Sequence, residues 1–165
     1  MKTLHIVGFK NSGKTTLITR WIKLLKREGL TISVIKHHGH GAKLAMPNKN
    51  KDSMQYINSG AAASLVAGAG NTQHIMNKQL HFAQLKSLAL LDEPDVLLIE
   101  GYKEEQGDKV VLTRGIEDWQ HLKNLEGIIL HVGEADTDGR ITQIHSRELT
   151  NQLDAWVLKW YNNSL

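Results

Sequence analysis

Residues 8–16, GFKNSGKTT, restrict the fold of this chain more than any other part of the sequence. They fit the pattern G-x-x-x-x-G-K-[ST], a glycine-rich loop between a buried strand and the start of a helix. The flanks agree, because an apolar run (LHIV, 4–7) precedes the loop and a helical pattern over 15–28 follows it. Loop N–H groups and the helix dipole together attract anions. The segment predicts a strand–loop–helix unit that binds phosphate groups.

Single positions in this loop have separate physical roles. Gly8 and Gly13 permit backbone angles that bring successive N–H groups around an anion. The ammonium group of Lys14 can reach β- and γ-phosphates, so we predict a catalytic role for it, and the Thr15 hydroxyl can ligate Mg²⁺. The predicted nucleotide-binding residues are Gly8, Asn11, Ser12, Gly13, Lys14, Thr15 and Thr16.

Strands alternate with helices through most of the chain. This order predicts an α/β protein with a mainly parallel sheet, arranged as the three-layer P-loop NTPase fold in a single domain over residues 1–165. Ligands then bind beyond the carboxyl ends of the strands. We predict strands at 4–7, 30–36, 64–67, 73–76, 96–99, 109–112 and 128–132, and helices at 15–28, 52–59, 80–91, 117–122 and from an N-cap at Ser146 to the C-terminus.

A carboxylate facing Mg²⁺ is expected on a strand beside the loop. Asp95 precedes the apolar run 96–99 and Glu100 follows it. Only Glu100 stands at the carboxyl end, where the phosphate loop also lies, so we predict Glu100 as a metal ligand. Gly101 lets the chain turn close to the phosphates.

Asp52 is a third acid of interest, because it opens a helical segment after the loop that leaves the second strand. One interpretation places it in the outer shell of the metal or beside a water molecule. The alternative is a plain helix N-cap. The pattern leaves both open.

The loop at 36–51 holds four lysines, three histidines and no acid. It could receive an anionic second ligand, such as a phosphate-bearing substrate. A metal site at His37, His38 and His40 is another interpretation, although no carboxylate or cysteine stands nearby to complete it. A solvated loop without a ligand is the third.

The base of the nucleotide is not specified by motif. The segment NKNKD (48–52) resembles the guanine-reading pattern N/T-K-x-D, but it is one residue out of register and comes too early in the chain. Glu134 and Asp136, after the strand 128–132, are better placed to read a base. The residues alone leave GTP and ATP open.

Composition excludes several classes of function. The chain has no cysteine, which excludes disulfides, thiolate zinc sites and a cysteine nucleophile. A formal net charge of +3 gives no reason to expect a nucleic-acid partner. No apolar run approaches the roughly 18 residues of a membrane span, and no signal peptide is evident, so we expect a cytoplasmic protein.

Four further segments stand in a characteristic order with the phosphate loop: VIKHH (34–38), KDS (51–53), SGA (59–61) and LLIEGYK (97–103). With them the chain resembles the molybdopterin-guanine dinucleotide biosynthesis adaptor protein B (MobB) family over about residues 1–115. The resemblance implies a GTP- and Mg²⁺-binding protein of molybdenum cofactor biosynthesis with at most weak GTPase activity. It also implies a homodimer whose partners are molybdopterin and the guanylyltransferase that joins GMP to it.

The resemblance carries site roles over residue by residue. Glu100 matches the acid of the family's E-G motif, and Asp52 matches the acid of its D-[ST] motif, which we take as a catalytic candidate. Lys36 and His37 match a basic pair that would bind a substrate or anion. The phosphate and Mg²⁺ contacts are Gly13, Lys14 and Thr15.

An alternative function is a small-molecule kinase that transfers the γ-phosphoryl group of ATP, since the same loop, metal and acid would serve it. A kinase needs arginines and a lid near that group. Arg20 lies in the helix after the loop, Arg114 and Arg147 lie far along the chain, and no arginine-rich lid is visible, which disfavours a kinase. A non-enzymatic domain with a vestigial loop is disfavoured because Lys14 and Thr15 are both present.

Overall fold

The computed structural model describes residues 1–39, 44–137 and 139–163. The chain divides into two compact units: residues 1–37 with 86–165, and residues 38–85. We describe each by itself, and the single-domain assignment stays a prediction. The elements are β1 (Lys2–Val7), α1 (Lys14–Arg27), β2 (Ile32–Lys36), α2 (Asp52–Asn58), β3 (Ala63–Gly68), β4 (Asn71–Met76), α3 (Phe82–Ala89), β5 (Val96–Glu100), β6 (Lys109–Leu112), α4 (Ile116–Leu122), β7 (Ile128–Val132), β8 (Thr142–Ile144) and α5 (Thr150–Asn162).

The first unit is built on a six-stranded sheet in the order β2-β5-β1-β6-β7-β8. The neighbouring strands all pair in parallel over the described residues, which confirms the predicted mainly parallel sheet. β5 and β6 are buried along their whole length. Such continuous burial is typical of parallel strands whose two faces are both covered. Helix α1 packs on one face, where its side chains share a core with β1 and β5.

Helix α1 forms because its apolar residues recur at helical spacing. Leu17, Trp21 and Leu25 lie on its buried face. The helix ends at Arg27, one residue before the predicted bound. Gly29 takes a left-handed φ of +81°, and the N–H of Leu30 donates to the carbonyl of Leu25 at 3.1 Å, which closes the last turn.

Helix α5 packs against α1 through aromatic rings. The Trp156 ring stacks on that of Trp21 with centroids 5.9 Å apart, and the Trp160 ring stacks on Trp156 at 6.5 Å. The indole N–H of Trp160 donates to Asp108 at 3.1 Å. The tryptophan face of α5 therefore belongs to the intramolecular core of this unit.

Two helix starts differ from the sequence prediction. α5 begins at Thr150 with Leu149 at the N-cap position, because the hydroxyl of Ser146 instead accepts from the N–H of Glu148 at 3.1 Å and forms a turn. Asp52 is the first residue of α2 rather than its N-cap, which is Lys51. The simple N-cap interpretation of Asp52 is therefore wrong, and its acidic side chain instead adds favourably to the helix dipole.

The sequence analysis also missed β8. This strand is three residues long, reads TQI and, within the residues that the structure describes, pairs with β7 alone. A segment so short and polar has no periodicity to report. It matters because it orders the chain immediately before residues 146–150.

The second unit holds α2 and the antiparallel hairpin of β3 and β4. Both strands were predicted, and they are joined by a two-residue turn at Ala69 and Gly70 with φ of +46° and +78°. Positive φ at both positions matches the right-handed twist of a hairpin. A small core of Met54, Ile57 and Ile75 holds the helix to the hairpin.

In the part of the chain that the structure describes, no helix is long and apolar enough to cross a membrane.

Candidate functional site

The phosphate loop connects the end of β1 to the first turn of α1. Gly8 and Gly13 adopt φ of +154° and +93°, and Asn11 also has a positive φ. A Cβ on Gly8 would lie 2.4 Å from the carbonyl oxygen of Leu112 and 2.6 Å from the hydroxyl of Ser12, so only glycine fits there. The backbone conformation of the loop therefore requires the glycines that the motif specifies.

Lys14 folds back over the loop that precedes it. Its ammonium group donates to the carbonyl of Phe9 at 2.7 Å and to the hydroxyl of Ser12 at 3.5 Å. Burial lowers the pKa of Lys14 from its usual value, Glu100 raises this pKa, and Lys36 and Arg114 lower it. The Lys14 ammonium group therefore lies over the phosphate loop, and the cationic groups of Lys36 and Arg114 are near it.

Thr15, Lys36 and Glu100 form a compact polar cluster beside the loop. The Thr15 hydroxyl donates to Oε2 of Glu100 at 3.0 Å. The Lys36 ammonium contacts Oε1 of Glu100 at 2.6 Å and Oγ1 of Thr15 at 3.3 Å. Lys36 and Glu100 are register partners that end β2 and β5, so parallel pairing places them side by side at the edge of the sheet.

The donors of this cluster fit Mg²⁺. A hydroxyl and a carboxylate oxygen 3.0 Å apart are hard oxygen ligands. Mg²⁺ in nucleotide sites is usually held by one or two carboxylates together with phosphates and water. Over the described residues no group of three histidine or acidic side chains could hold a metal, and His40 lies outside them. The histidine metal site therefore gains no support.

A cavity of about 810 Å³ opens above the loop. Its lining includes five cationic side chains, of which four come from residues 10–36 and the fifth is Arg147. Two carboxylates, those of Glu100 and Glu148, also line it. This charge balance suits a polyanion. The lining residues are Lys10, Asn11, Gly13, Lys14, Thr15, Thr16, Leu17, Arg20, Lys36, Glu100, Arg147, Glu148, Thr150 and Leu153.

Arg147 is a residue of this cavity that sequence reasoning did not select. Its Nη1 lies 3.5 Å from the carbonyl oxygen of Asn11, and its Cδ would lie 3.3 Å from a Cβ on Gly13. Within the described residues it joins no ion pair, whereas Arg20 is bound to Asp154 at 2.6 Å. The sequence prediction placed it in the first turn of the last helix, and no local pattern indicated its contact with the loop.

Arg114 is a second arginine near the loop. It follows β6, the neighbour of β1, and its Nε and Nη2 each donate to the Asp118 carboxylate at 2.8 Å. Hydrogen bonds from Arg114 lower the pKa of Asp118 to about 2. Arg114 and Arg147 are far from the loop along the chain, yet Arg147 contacts Asn11 and Arg114 is close enough to lower the pKa of Lys14, which the sequence did not reveal.

His37 connects two of the segments that carry the family resemblance, VIKHH (34–38) and LLIEGYK (97–103). Its N–H donates to the carbonyl of Glu100 at 2.8 Å, and its ring packs at 4.8 Å from that of Tyr102. Gly101 has a φ of +91°, and a Cβ there would lie 2.9 Å from Cβ of His37. The K-H-H and E-G-Y segments thus lie side by side and depend on that glycine.

Asp52, Glu134 and Asp136 were also predicted as site residues. Asp52 belongs to the second unit and stands in the first turn of α2. Glu134 and Asp136 are exposed after β7 and are not among the described residues that line the cavity. Their proposed base-reading role stays a prediction.

Sequence comparison connects this chain with named proteins. A family model described as molybdopterin guanine dinucleotide synthesis protein B matches residues 3–133. A probable molybdopterin-guanine dinucleotide biosynthesis adapter protein of Bacillus subtilis is 36% identical over 137 residues, which cover 82% of this chain and 79% of the relative. The corresponding adapter protein of Escherichia coli is 32% identical over 115 residues, 67% of this chain and 65% of the relative.

Solved structures give the same result. The crystal structure of Bacillus subtilis MobB has a TM-score of 0.82 and 29% identity, and covers 99% of this chain and 100% of its own. The MobB homologue of Bacillus stearothermophilus has a TM-score of 0.78 and 29% identity, with 98% of both chains covered. The hydrogenase maturation factor HypB of Archaeoglobus fulgidus (TM-score 0.53, 17% identity, 96% of this chain and 87% of its own) shares the fold alone. These likenesses confirm the predicted P-loop NTPase fold.

Proposed function

The chain belongs to the molybdopterin guanine dinucleotide synthesis protein B (MobB) family, and from this premise we propose that it is a GTP-binding adapter of molybdopterin guanine dinucleotide biosynthesis. The observation that carries the nucleotide part is the contact of Thr15 with Glu100 at 3.0 Å beside the phosphate loop. None of the relatives described above is named as a kinase, so the kinase alternative has no support.

The phosphate loop would bind the polyphosphate of the nucleotide. Backbone N–H groups between Gly8 and Thr16 and the amino end of α1 supply a cradle for the phosphate groups. The ammonium of Lys14 would exchange its present carbonyl contact with Phe9 for phosphate oxygens. Arg147, which contacts Asn11 of the loop and joins no ion pair over the described residues, would add a forked donor group.

Thr15 and Glu100 would hold Mg²⁺, directly or through water. When bound, Mg²⁺ neutralises charge on the phosphate oxygens. The chain's own residues set the geometry for this, since Glu100 is fixed by its position at the end of β5 and Thr15 by the first turn of α1. Hydrolysis without a partner would be slow, because the sequence offers no evident glutamine to orient the attacking water.

The adapter role defines the remaining assignments of the proposal. Lys36 and His37 would bind an anionic group of the substrate or nucleotide, and Asp52 remains a catalytic candidate. Glu134 or Asp136 would read guanine. The partners would be molybdopterin, the guanylyltransferase that joins GMP to it, and a second copy of this chain in a cytoplasmic homodimer.

Calorimetric titration with non-hydrolysable GTP and ATP analogues, each with Mg²⁺, tests the proposal. We expect binding of the GTP analogue and clearly weaker binding of the ATP analogue. Lys14→Ala should abolish binding of the GTP analogue while the circular dichroism spectrum and the melting temperature stay near those of the wild type. Equal or tighter binding of ATP, or full affinity in Lys14→Ala, would contradict the assignment.

A further inference from the structure

A cation already contacts both of the groups that would hold Mg²⁺. The ammonium of Lys36 contacts Oε1 of Glu100 at 2.6 Å and Oγ1 of Thr15 at 3.3 Å. The Thr15 hydroxyl donates to the other oxygen of the same carboxylate at 3.0 Å. All the polar atoms of the candidate metal site are therefore engaged with one another, and Lys36 neutralises the charge of Glu100.

The two partners of this ion pair differ in their freedom to move. Glu100 is the last residue of β5, which pairs with β1 on one side and β2 on the other. Its side chain is 10% exposed, whereas the Lys36 side chain is 52% exposed. A lysine ammonium on a flexible stem reorients easily. The carboxylate is thus the fixed element of the site and the ammonium is the exchangeable one.

Lys36 and a divalent cation compete for the same oxygen atoms. Mg²⁺ binds oxygen ligands at about 2.0–2.1 Å. An ion that close to Oγ1 of Thr15 and to Glu100 would repel an ammonium that contacts both groups, and the repulsion is strong where water is partly excluded. Metal binding therefore requires that the Lys36 ammonium leave its present position.

The cavity above the loop offers that ammonium a new partner. Lys36 lines it together with Lys14 and Thr15, on the side where Glu100 ends β5. Within the described residues Glu100 is the acid with which Lys36 forms an ion pair. A displaced ammonium would therefore gain most from an anionic oxygen of the ligand itself. The γ-phosphate of a triphosphate brings three such oxygens in addition to those of the β-phosphate, which a diphosphate also carries.

We propose that Lys36 is the resident counter-ion of Glu100 in the nucleotide-free protein and that Mg²⁺ displaces it onto the terminal phosphate of a nucleoside triphosphate. This inference rests on the proposed function and deepens it. A diphosphate offers no γ-phosphate to the displaced ammonium. Lys36 is then the residue that makes the protein distinguish a triphosphate from a diphosphate, through competition at the metal site.

The Lys36→Met variant tests this exchange with a readout other than activity. Free Mn²⁺, measured by electron paramagnetic resonance, reports metal binding to the nucleotide-free and GDP-loaded protein. We expect Mn²⁺ to bind about tenfold more tightly to Lys36→Met in both states, because the competing charge is gone. In calorimetry the preference of the variant for a GTP analogue over GDP should fall by about tenfold.

Lys26→Met is the matched control, since it removes the same charge from an exposed lysine of α1. It lies about 18 Å from Lys14 along the helix axis. It should leave both Mn²⁺ affinity and the triphosphate preference at their wild-type values. Thermal unfolding of both variants verifies that they are folded.

The outcomes separate this inference from the function on which it rests. If the wild type binds the GTP analogue and Lys36→Met shows unchanged or weaker Mn²⁺ binding, the exchange is refuted and the adapter function stands. An unchanged preference for triphosphate over diphosphate in Lys36→Met refutes it as well. If the wild type binds neither nucleotide, the proposed function and this inference both fail.

Discussion

At the residue scale, the two acids that flank β5 have opposite surroundings. Glu100 faces the phosphate loop and accepts from Thr15 and Lys36. Asp95, at the amino end of the same strand, accepts from the N–H and the hydroxyl of Thr31, both at 2.8 Å, and these hydrogen bonds lower its pKa. The direction of β5 thus places Glu100 at the edge of the sheet beside the phosphate loop. It places Asp95 at the other end of the strand, where its hydrogen bonds with Thr31 have a structural role.

His131 is a buried residue whose protonation the fold opposes. It is fully buried in β7, its ring stacks 4.3 Å from that of Trp119, and its Nε2 shares a hydrogen bond of 2.9 Å with the hydroxyl of Thr113. Burial, with a smaller contribution from nearby His145, lowers the pKa of His131 to about 4. The native packing therefore requires the neutral form of the His131 ring.

This depressed pKa predicts a loss of stability in acid. An unfolded histidine titrates near 6.5, so the stability that the neutral ring allows is complete above that pH and is lost as the pH falls towards 4. The loss reaches up to about 3 kcal/mol by pH 4. Urea unfolding at several pH values measures it.

His131→Gln should flatten the pH dependence between 6.5 and 4, because the titrating group is gone. His74→Gln, which replaces an exposed histidine, serves as the control and should keep the wild-type slope. An equal slope in all three proteins would show that other groups cause the acid loss.

At the element scale, the phosphate loop depends on how α1 is held against the sheet. The buried face of α1 packs on the sheet, and its Trp21 stacks on Trp156 of α5. Bidentate hydrogen bonds from Arg114 to Asp118 likewise join the end of β6 to the first helical turn of α4. Helix–helix and loop–helix contacts of this kind position the binding edge without touching a ligand.

Loss of the aromatic packing between α5 and α1 should destabilise the protein without directly changing the phosphate loop. Trp156→Ala deletes a ring that stacks on two others, so we expect a loss of roughly 3 kcal/mol in the free energy of unfolding. Tyr56→Ala truncates an aromatic ring that is 60% exposed and should cost less than about 0.5 kcal/mol. Chemical denaturation measures both, and similar losses would contradict the packing role of Trp156.

At the scale of the whole molecule, the strand order of the sheet assembles the site from distant parts of the sequence. β1 lies between β5 and β6, so residues that follow all three strands meet at one edge. The segment between β8 and α5 then returns Arg147 to within 3.5 Å of Asn11, which is 136 residues away in the chain. Parallel strands with crossovers produce such meetings, because every strand ends at the same edge.

This return of the chain predicts that Arg147 contributes to nucleotide affinity. Arg147→Ala should weaken binding of a GTP analogue by about tenfold, as expected for the loss of a charge-assisted hydrogen bond. Arg147→Lys should recover only part of the affinity, since it restores the charge without the forked geometry. Arg140→Ala removes an exposed arginine as a control, and wild-type affinity in Arg147→Ala would exclude the contact.

The sequence by itself determined the parts of this protein that depend on neighbours along the chain. The loop at 8–16 requires glycines at fixed positions, and the strands predicted at 109–112 and 128–132 coincide with β6 and β7. Gly29, with its positive φ, follows the end of α1. The position of Glu100, rather than Asp95, on the loop side of the sheet also followed, because strand direction alone decides which end of a parallel strand faces the loop.

The tertiary structure alone decided which distant side chains share the site. Strand β8, the start of α5 at Thr150 and the return of Arg114 and Arg147 to the loop were not predictable. The contact of Lys36 with both Thr15 and Glu100 was likewise visible only in three dimensions. The physical reason is that periodicity and turn chemistry report local conformation, whereas strand order and register arise from burial of the whole sheet.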